Sequence, residues 1–206
     1  MKPKFPNWDA RFDTDTYIFG TAPADFLVAQ QDRLKAAAGQ NALAIADGEG
    51  RNSVFMAECG LNVTAMDSSE KGLEKARKLA SDRKADIDFQ LADLKTWDWA
   101  ENQWDIVVAI FIQFADPQFR SEIFSGLKRT VKPGGLILLH GYTPKQVEYG
   151  TGGPPTPEVM YTEDLLRDAF GDMQIETLKA YEKVIDEGPG HSGLSALIDL
   201  VARKPG

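Results

Sequence analysis

Short apolar runs, closed by acidic or glycine-bearing turns and separated by amphipathic helices, constrain the fold of this chain more than any other feature. Residues 42–46 form one such run, closed by Asp47-Gly48-Glu49-Gly50, and residues 52–58 then read as helix. Residues 63–66 form a second, closed by Asp67-Ser68-Ser69, after which Leu73, Ala76 and Ala80 fall at helical spacing among Lys, Arg and Glu. Residues 87–91 and 105–110 repeat the strand pattern. Continuous apolar runs mark strands buried on both faces, so the alternation predicts an α/β fold around a parallel sheet.

Asp116-Pro117 reads as an N-cap followed by proline in the first helical turn, with Phe119, Ile123, Phe124, Leu127 and Val131 along one face of the helix. Pro133-Gly134-Gly135 is expected to end that helix and launch a strand over residues 136–139. After a further helix over 162–170, residues 174–184 and 194–202 both read as strands. The connection between them is too short for a helical crossover, so this pair is expected to be an antiparallel hairpin. Residues 1–40, with Trp8, Phe12, Tyr17 and Phe19 ahead of a helix beginning near Pro23, read as a helical cover packed on the sheet of residues 41–206. No stretch has the composition of a linker, and residues 1–206 are expected to form a single domain.

Composition narrows the function. A net charge of -8 and an isoelectric point near 4.8 work against attraction to nucleic acid or anionic lipid. A single cysteine, Cys59, allows no intrachain disulfide, and one Cys with two His supplies too few ligands for a tetrahedral zinc site. The opening residues carry no apolar stretch of signal-peptide length, and no run is long enough to span a membrane. The expectation is a cytoplasmic protein with no metal and no nucleic-acid or membrane partner; the oligomeric state is left open, and a monomer fits.

In an open parallel sheet, ligands bind at the carboxyl ends of the strands. Gly48 and Gly50 end the first strand, where missing side chains let the backbone approach a ligand and helix-terminal amides point at it. Asp67 ends the second, 17 residues after Gly50, where a carboxylate can accept from both hydroxyls of a ribose. Asp93 follows the third, placed to accept from an exocyclic amine such as that of adenine. Together the three turns describe a nucleoside site. Each residue also has a plainer reading, since Asp67 can simply cap the helix starting near Ser69. Ser53 stands where a dinucleotide fold wants its third glycine, and the absence of Gly-Lys-Ser or Gly-Lys-Thr after the glycines excludes a P-loop.

The strings Leu43-Ala44-Ile45-Ala46-Asp47-Gly48-Glu49-Gly50-Arg51-Asn52-Ser53, Val63-Thr64-Ala65-Met66-Asp67-Ser68-Ser69, Ala92-Asp93-Leu94 and Leu127-Lys128-Arg129-Thr130-Val131-Lys132-Pro133-Gly134-Gly135 resemble class I S-adenosylmethionine-dependent methyltransferases. The nearest flavour is the bacterial small-molecule group that includes tellurite-resistance and thiopurine methyltransferases. The resemblance implies a Rossmann-like domain with seven strands, the last antiparallel, and helices on both faces. It implies that Ala46, Gly48 and Gly50 approach the methionine moiety, Asp67 with Ser68 takes the ribose hydroxyls, Asp93 with Leu94 holds the adenine, and Ile110 lies under the cofactor. Tyr17, Phe19 and Gly20 read by themselves as ordinary core and turn residues, whereas the resemblance implies that they come over the cofactor as a lid. The sequence departs from the usual pattern at Ala44, where an acidic residue is common, and at Ala46, where the first glycine is usual.

Arg51 sits early in a helix, where its charge opposes the helix dipole; it is either a solvated or ion-paired residue or one held by a partner such as a carboxylate, and the resemblance places it among the cofactor-binding residues. Phe19, Gln113, Tyr142 and His191 are candidates to line a substrate site. Gln113 is either an orienting group or a structural strand-end amide, and His191 either an ordinary loop histidine or a base. The expected function is methyl transfer from S-adenosylmethionine to a small molecule bearing a thiol, a metalloid oxyanion or a heteroaromatic ring. The alternatives are a non-catalytic nucleoside-binding module and, further off, an NAD-dependent oxidoreductase.

Overall fold

The structure is a computed structural model that describes residues 7–206. Residues 1–6, which open the expected N-terminal cover, lie outside the described residues. Seven strands form a sheet of order β3-β2-β1-β4-β5-β7-β6. They are β1 (Asn41–Ile45), β2 (Asn62–Asp67), β3 (Ile87–Leu91), β4 (Trp104–Ile110), β5 (Val131–Tyr142), β6 (Gln174–Asp186) and β7 (Ser192–Arg203). Parallel pairing joins β1 to β2, β2 to β3 and β4 to β5, whereas β7 runs antiparallel to both β5 and β6. The fold class read from the sequence holds: a mostly parallel seven-stranded sheet with an antiparallel last strand.

The chain resolves into two compact units. One comprises the described residues up to Trp97 together with Glu187–Pro189; the other comprises Asp98–Asp186 and Gly190–Gly206.

In the first unit, α1 (Trp8–Phe12), α2 (Asp25–Val28) and α3 (Gln31–Ala36) precede β1, and α4 (Arg51–Glu58) and α5 (Glu70–Arg83) follow β1 and β2. Leu73, Ala76 and Ala80 of α5 are buried, as their spacing requires. The N-terminal segment differs from expectation in two ways. The helix expected near Pro23 is two short helices, and α1 adds a third. The segment also packs on the turn after β1 and on α5, with Phe12 against Gly48 and Gly72 and the Tyr17 hydroxyl donating to the carbonyl of Lys75. The Phe12 ring is buried where side chains on Gly48 and Gly72 would otherwise stand.

In the second unit, α6 (Pro117–Thr130) is capped by the Asp116 side chain, which accepts from the Phe119 amide 3.0 Å away. Gly126 lies inside α6 because the Trp99 ring lies there: a Cβ would come within 2.3 Å of it. The helix ends at Thr130, earlier than expected, and Val131 already pairs with Trp104. The register then shifts so that Ile106 faces Leu136, and Pro133-Gly134-Gly135 bulges out, with Gly134 at φ +76°. Two short helices, α7 (Gln146–Tyr149) and a 3₁₀ turn (Pro157–Val159), and then α8 (Glu163–Phe170) connect β5 to β6. No helix among the described residues is long and apolar enough to cross a membrane.

Candidate functional site

The turn after β1 is built around two carboxylates. Asp67, at the end of β2 and 6% exposed, accepts from the Gly48 amide and from the Ser69 amide, both at 2.8 Å. The cap of α5 is Ser69, whose hydroxyl accepts from the Gly72 amide at 3.0 Å. The capping duty that could have explained Asp67 therefore falls to its neighbour. The two oxygens of Asp67 offer more acceptor directions than these amides occupy, which leaves capacity for a ribose hydroxyl. Ser68 beside it is exposed.

Asp47 accepts from the Ser53 hydroxyl at 2.5 Å and from the Ser53 amide at 3.3 Å. Burial pushes its carboxyl up to about 6 despite those bonds, and the nearby Asp67 charge adds to the rise. Burial also raises Asp67, against three backbone amides, and the Asp9 charge works in the same direction. Crowded carboxylates with raised pKa values favour a cation beside them, and the sulfonium and ammonium of S-adenosylmethionine are cations. The donor set of this turn thus fits that cofactor.

The sign of the resulting pH dependence follows from the direction of the shift. A carboxyl whose pKa is higher folded than unfolded binds more protons in the native state, so its penalty is complete above about pH 6 and relaxes toward pH 4. Asp47→Asn is therefore expected to raise stability by about 1–3 kcal/mol at pH 7.5 and by much less at pH 4.5. Thermal melts of both proteins at the two pH values check this; an equal difference at both would remove the titration from the account.

Backbone geometry explains the glycines and tests the substitutions. Gly48 and Gly50 lie at φ +63° and +88°, and a Cβ on Gly50 would fall 2.7 Å from that of Ala76 in α5. Ala46, the residue in place of the usual first glycine, takes φ +46°, a left-handed conformation costing an L-residue about 1–2 kcal/mol. The glycine pattern is thus met in conformation and broken in residue type.

Two glutamates that sequence reasoning passed over organise the cover. Glu49, 2% exposed, accepts from the Ile18 amide at 2.8 Å and the Phe19 amide at 3.2 Å, and pairs with the Lys75 ammonium at 2.8 Å. Tyr17 and Phe19 are thereby fixed beside the turn, with Phe19 edge-on to Phe12. Glu187 meets the Arg51 guanidinium at 2.7 Å, with both side chains about 95% buried, and accepts from the Asp25 amide at 3.1 Å. Arg51 thus has a carboxylate partner, one of the two readings its position allowed. Gly20, at φ +68°, packs on the backbone of Gly188. The signal for Glu49 was its place inside the Gly-x-Gly turn, whereas Glu187 carried none. Asp93 is exposed and accepts from the Lys95 amide at 2.9 Å, with Leu94 buried beside it.

The second unit gathers the other candidates. Ile110 ends β4 and pairs in register with His140. Both ends of the Gln113 amide are committed to the Tyr142 backbone: Nε2 donates to its carbonyl at 2.7 Å and Oε1 accepts from its amide at 2.6 Å. His191, buried, bridges to Gly152 and packs against Phe111, with ring centroids 4.2 Å apart. Phe111 also contacts Tyr142 and His140, each at 4.7 Å. No cluster of His, Cys, Asp and Glu among the described residues could hold a metal ion.

The chain is 24% identical over 163 residues to phosphoethanolamine N-methyltransferase 1 of Triticum aestivum, covering 78% of this chain and 30% of that one. It is 31% identical over 136 residues to demethylmenaquinone methyltransferase of Renibacterium salmoninarum, covering 66% and 52%. The chain thus spans about a third to a half of the length of these curated relatives. In three dimensions it is similar to TehB from Haemophilus influenzae, with a TM-score of 0.69 at 18% identity, covering 98% of this chain and 67% of that one. Residues 42–135, from β1 through the bulge of β5, match the family model of a methyltransferase domain.

Proposed function

We propose that this chain transfers the methyl group of S-adenosylmethionine to a small-molecule acceptor. The observation that carries the reading is the turn of Gly48 and Gly50 tied to Asp67 at the carboxyl ends of β1 and β2, within the stretch similar to a methyltransferase domain. Bound there, the cofactor supplies a sulfonium-activated methyl group, which needs placement more than activation. Asp67 accepts the ribose hydroxyls, with exposed Ser68 beside them. Asp93 and Leu94 receive the adenine, and Gly48 and Gly50 admit the methionine moiety. Asp47 opposes the positive charge. Tyr17, Phe19 and Gly20, anchored by Glu49 and Gly188, cover the site and exclude water.

Ser53 favours this reading over a dinucleotide one, because its hydroxyl, buried and bonded to Asp47, fills the position where a dinucleotide turn needs glycine. The relatives methylate chemically different acceptors by name, and we place this chain's acceptor among thiols, metalloid oxyanions and heteroaromatics.

Mass action tests the binding step. S-adenosylmethionine at a hundred times its Kd is expected to stabilise the chain by about 2.7 kcal/mol, a rise of about 5–11 °C in melting temperature. Asp67→Asn, which keeps one acceptor oxygen, should lose most of that rise. An unchanged melting temperature with both S-adenosylmethionine and its demethylated product would sink the reading.

A further inference from the structure

The amino-acid end of S-adenosylmethionine carries a carboxylate beside its ammonium, and the two ask for opposite partners. The turn after β1 and the end of β2 carry Asp47, Glu49 and Asp67, which suit the ammonium. A carboxylate calls for a cation, best a guanidinium with two parallel donors. The cations of α4 and the first two turns of α5 are already committed. Arg51 meets Glu187 at 2.7 Å, Lys75 meets Glu49 at 2.8 Å, and Lys71 meets Glu74 at 2.9 Å.

Arg11 of α1 is in a different state. It is exposed and makes no ion pair among the described residues. Its guanidinium instead lies over two aromatic rings, 5.1 Å from the centroid of Trp8 and 5.3 Å from that of Phe19. A cation–π contact holds the charge through the ring faces and leaves the N–H donors unspent.

Those rings belong to the packing on the turn. Phe12 stacks on Trp8 with centroids 5.5 Å apart and meets Phe19 at 6.1 Å, and its Cζ lies 3.2 Å from where a Cβ on Gly48 would stand. Glu49 holds the Phe19 amide at 3.2 Å. Asp9, two residues before Arg11, accepts from the Ser69 hydroxyl at 2.6 Å, which ties α1 to the residue whose amide bonds Asp67. Every residue of this cluster lies in the first unit, with the turn itself.

We propose that Arg11 takes the carboxylate of the cofactor's methionine moiety, and that Trp8 and Phe19 are the platform that keeps its guanidinium beside the turn. This rests on the methyltransferase reading. The demethylated product carries the same carboxylate, so Arg11 contributes equally to both forms of the cofactor and sets affinity rather than rate. The role makes α1 part of the binding site, a function distinct from covering it.

The test removes the carboxylate from the ligand and the guanidinium from the chain. Decarboxylated S-adenosylmethionine keeps the sulfonium, the ammonium and the nucleoside. By titration calorimetry the unaltered chain is expected to bind S-adenosylmethionine about 10–100-fold more tightly than this analogue, the range of a charge-assisted hydrogen-bonded pair. Arg11→Gln should lose about that factor on S-adenosylmethionine and on the demethylated product, yet stay within about threefold of the unaltered chain on the decarboxylated analogue. Arg11→Lys, a point charge without the fork, should recover part of the loss. Melting temperatures without ligand should agree among the three proteins, because the side chain is exposed. Equal loss on all ligands, no loss on any, or an unaltered chain that binds the decarboxylated analogue as tightly as S-adenosylmethionine overturns the proposal while the binding reading stands. A chain that binds none of the three ligands overturns both.

Discussion

Glu187→Ala is expected to destabilise the chain by about 3–5 kcal/mol, because it leaves the Arg51 guanidinium buried without its carboxylate. The Asp25 amide loses its acceptor in the same change. A loss of that size takes away about a fifth or more of a typical domain's stability and should lower the melting temperature by about 6–20 °C. The pair itself contributes far less than its breakage costs, since desolvating two charges offsets most of their attraction. The double variant Arg51→Met with Glu187→Leu is therefore expected to lie much nearer the unaltered chain than either single change. Denaturant unfolding of the unaltered chain, Arg51→Met, Glu187→Leu and the double variant closes the cycle. A single-variant loss below about 1 kcal/mol would class the pair with solvent-screened surface bridges and contradict its burial.

Gly50→Ala is expected to cost about 2–5 kcal/mol. The left-handed backbone accounts for about 1–2 of that and the collision with Ala76 for about 1–3. The collision is with the Cα as well as the Cβ of a buried helical residue, so no rotamer relieves it and either α5 or the turn must move. Movement there also disturbs the bond between the Gly48 amide and Asp67, so the cofactor-induced rise in melting temperature should shrink with stability. Gly150→Ala supplies the comparison: its φ of +61° is similarly left-handed, but no atom lies within 4 Å of the added methyl. Thermal melts of the two variants separate crowding from backbone strain. Equal losses would mean that the turn and α5 tolerate the methyl group and that the close approach has no energetic weight.

These two residues also mark the boundary of what the primary structure discloses. Gly50 was legible: a glycine closing an apolar run before a helix announces a tight turn, and its neighbours Gly48 and Asp67 fall into place by strand ends alone. Arg51 was half legible, since a cation at a helix N-terminus calls for a carboxylate without saying which. Its partner lies 136 residues away, and no local pattern singles out Glu187 among the chain's acidic residues. The positions of Gln113 and His191 at a sheet end were readable too, but not that Gln113 spends its whole amide on the Tyr142 backbone.

The sequence by itself determined the elements: strands where apolar residues run unbroken, α6 where Asp116 and Pro117 cap it, and a hairpin where the last connection is too short to cross over. Each of these is a local matter of periodicity, capping and chain length, which a few adjacent residues settle. Only the tertiary structure decided that β7 lies between β5 and β6, and that Glu49 and Glu187 bind the N-terminal segment and Arg51. It alone buried Asp47, with Asp67 nearby, so that its pKa rises, and brought His140 onto Asp199. Such pairings depend on strand order and burial across the chain, because a charge selects its partner by the cost of leaving water, and that cost is set only once the core has closed.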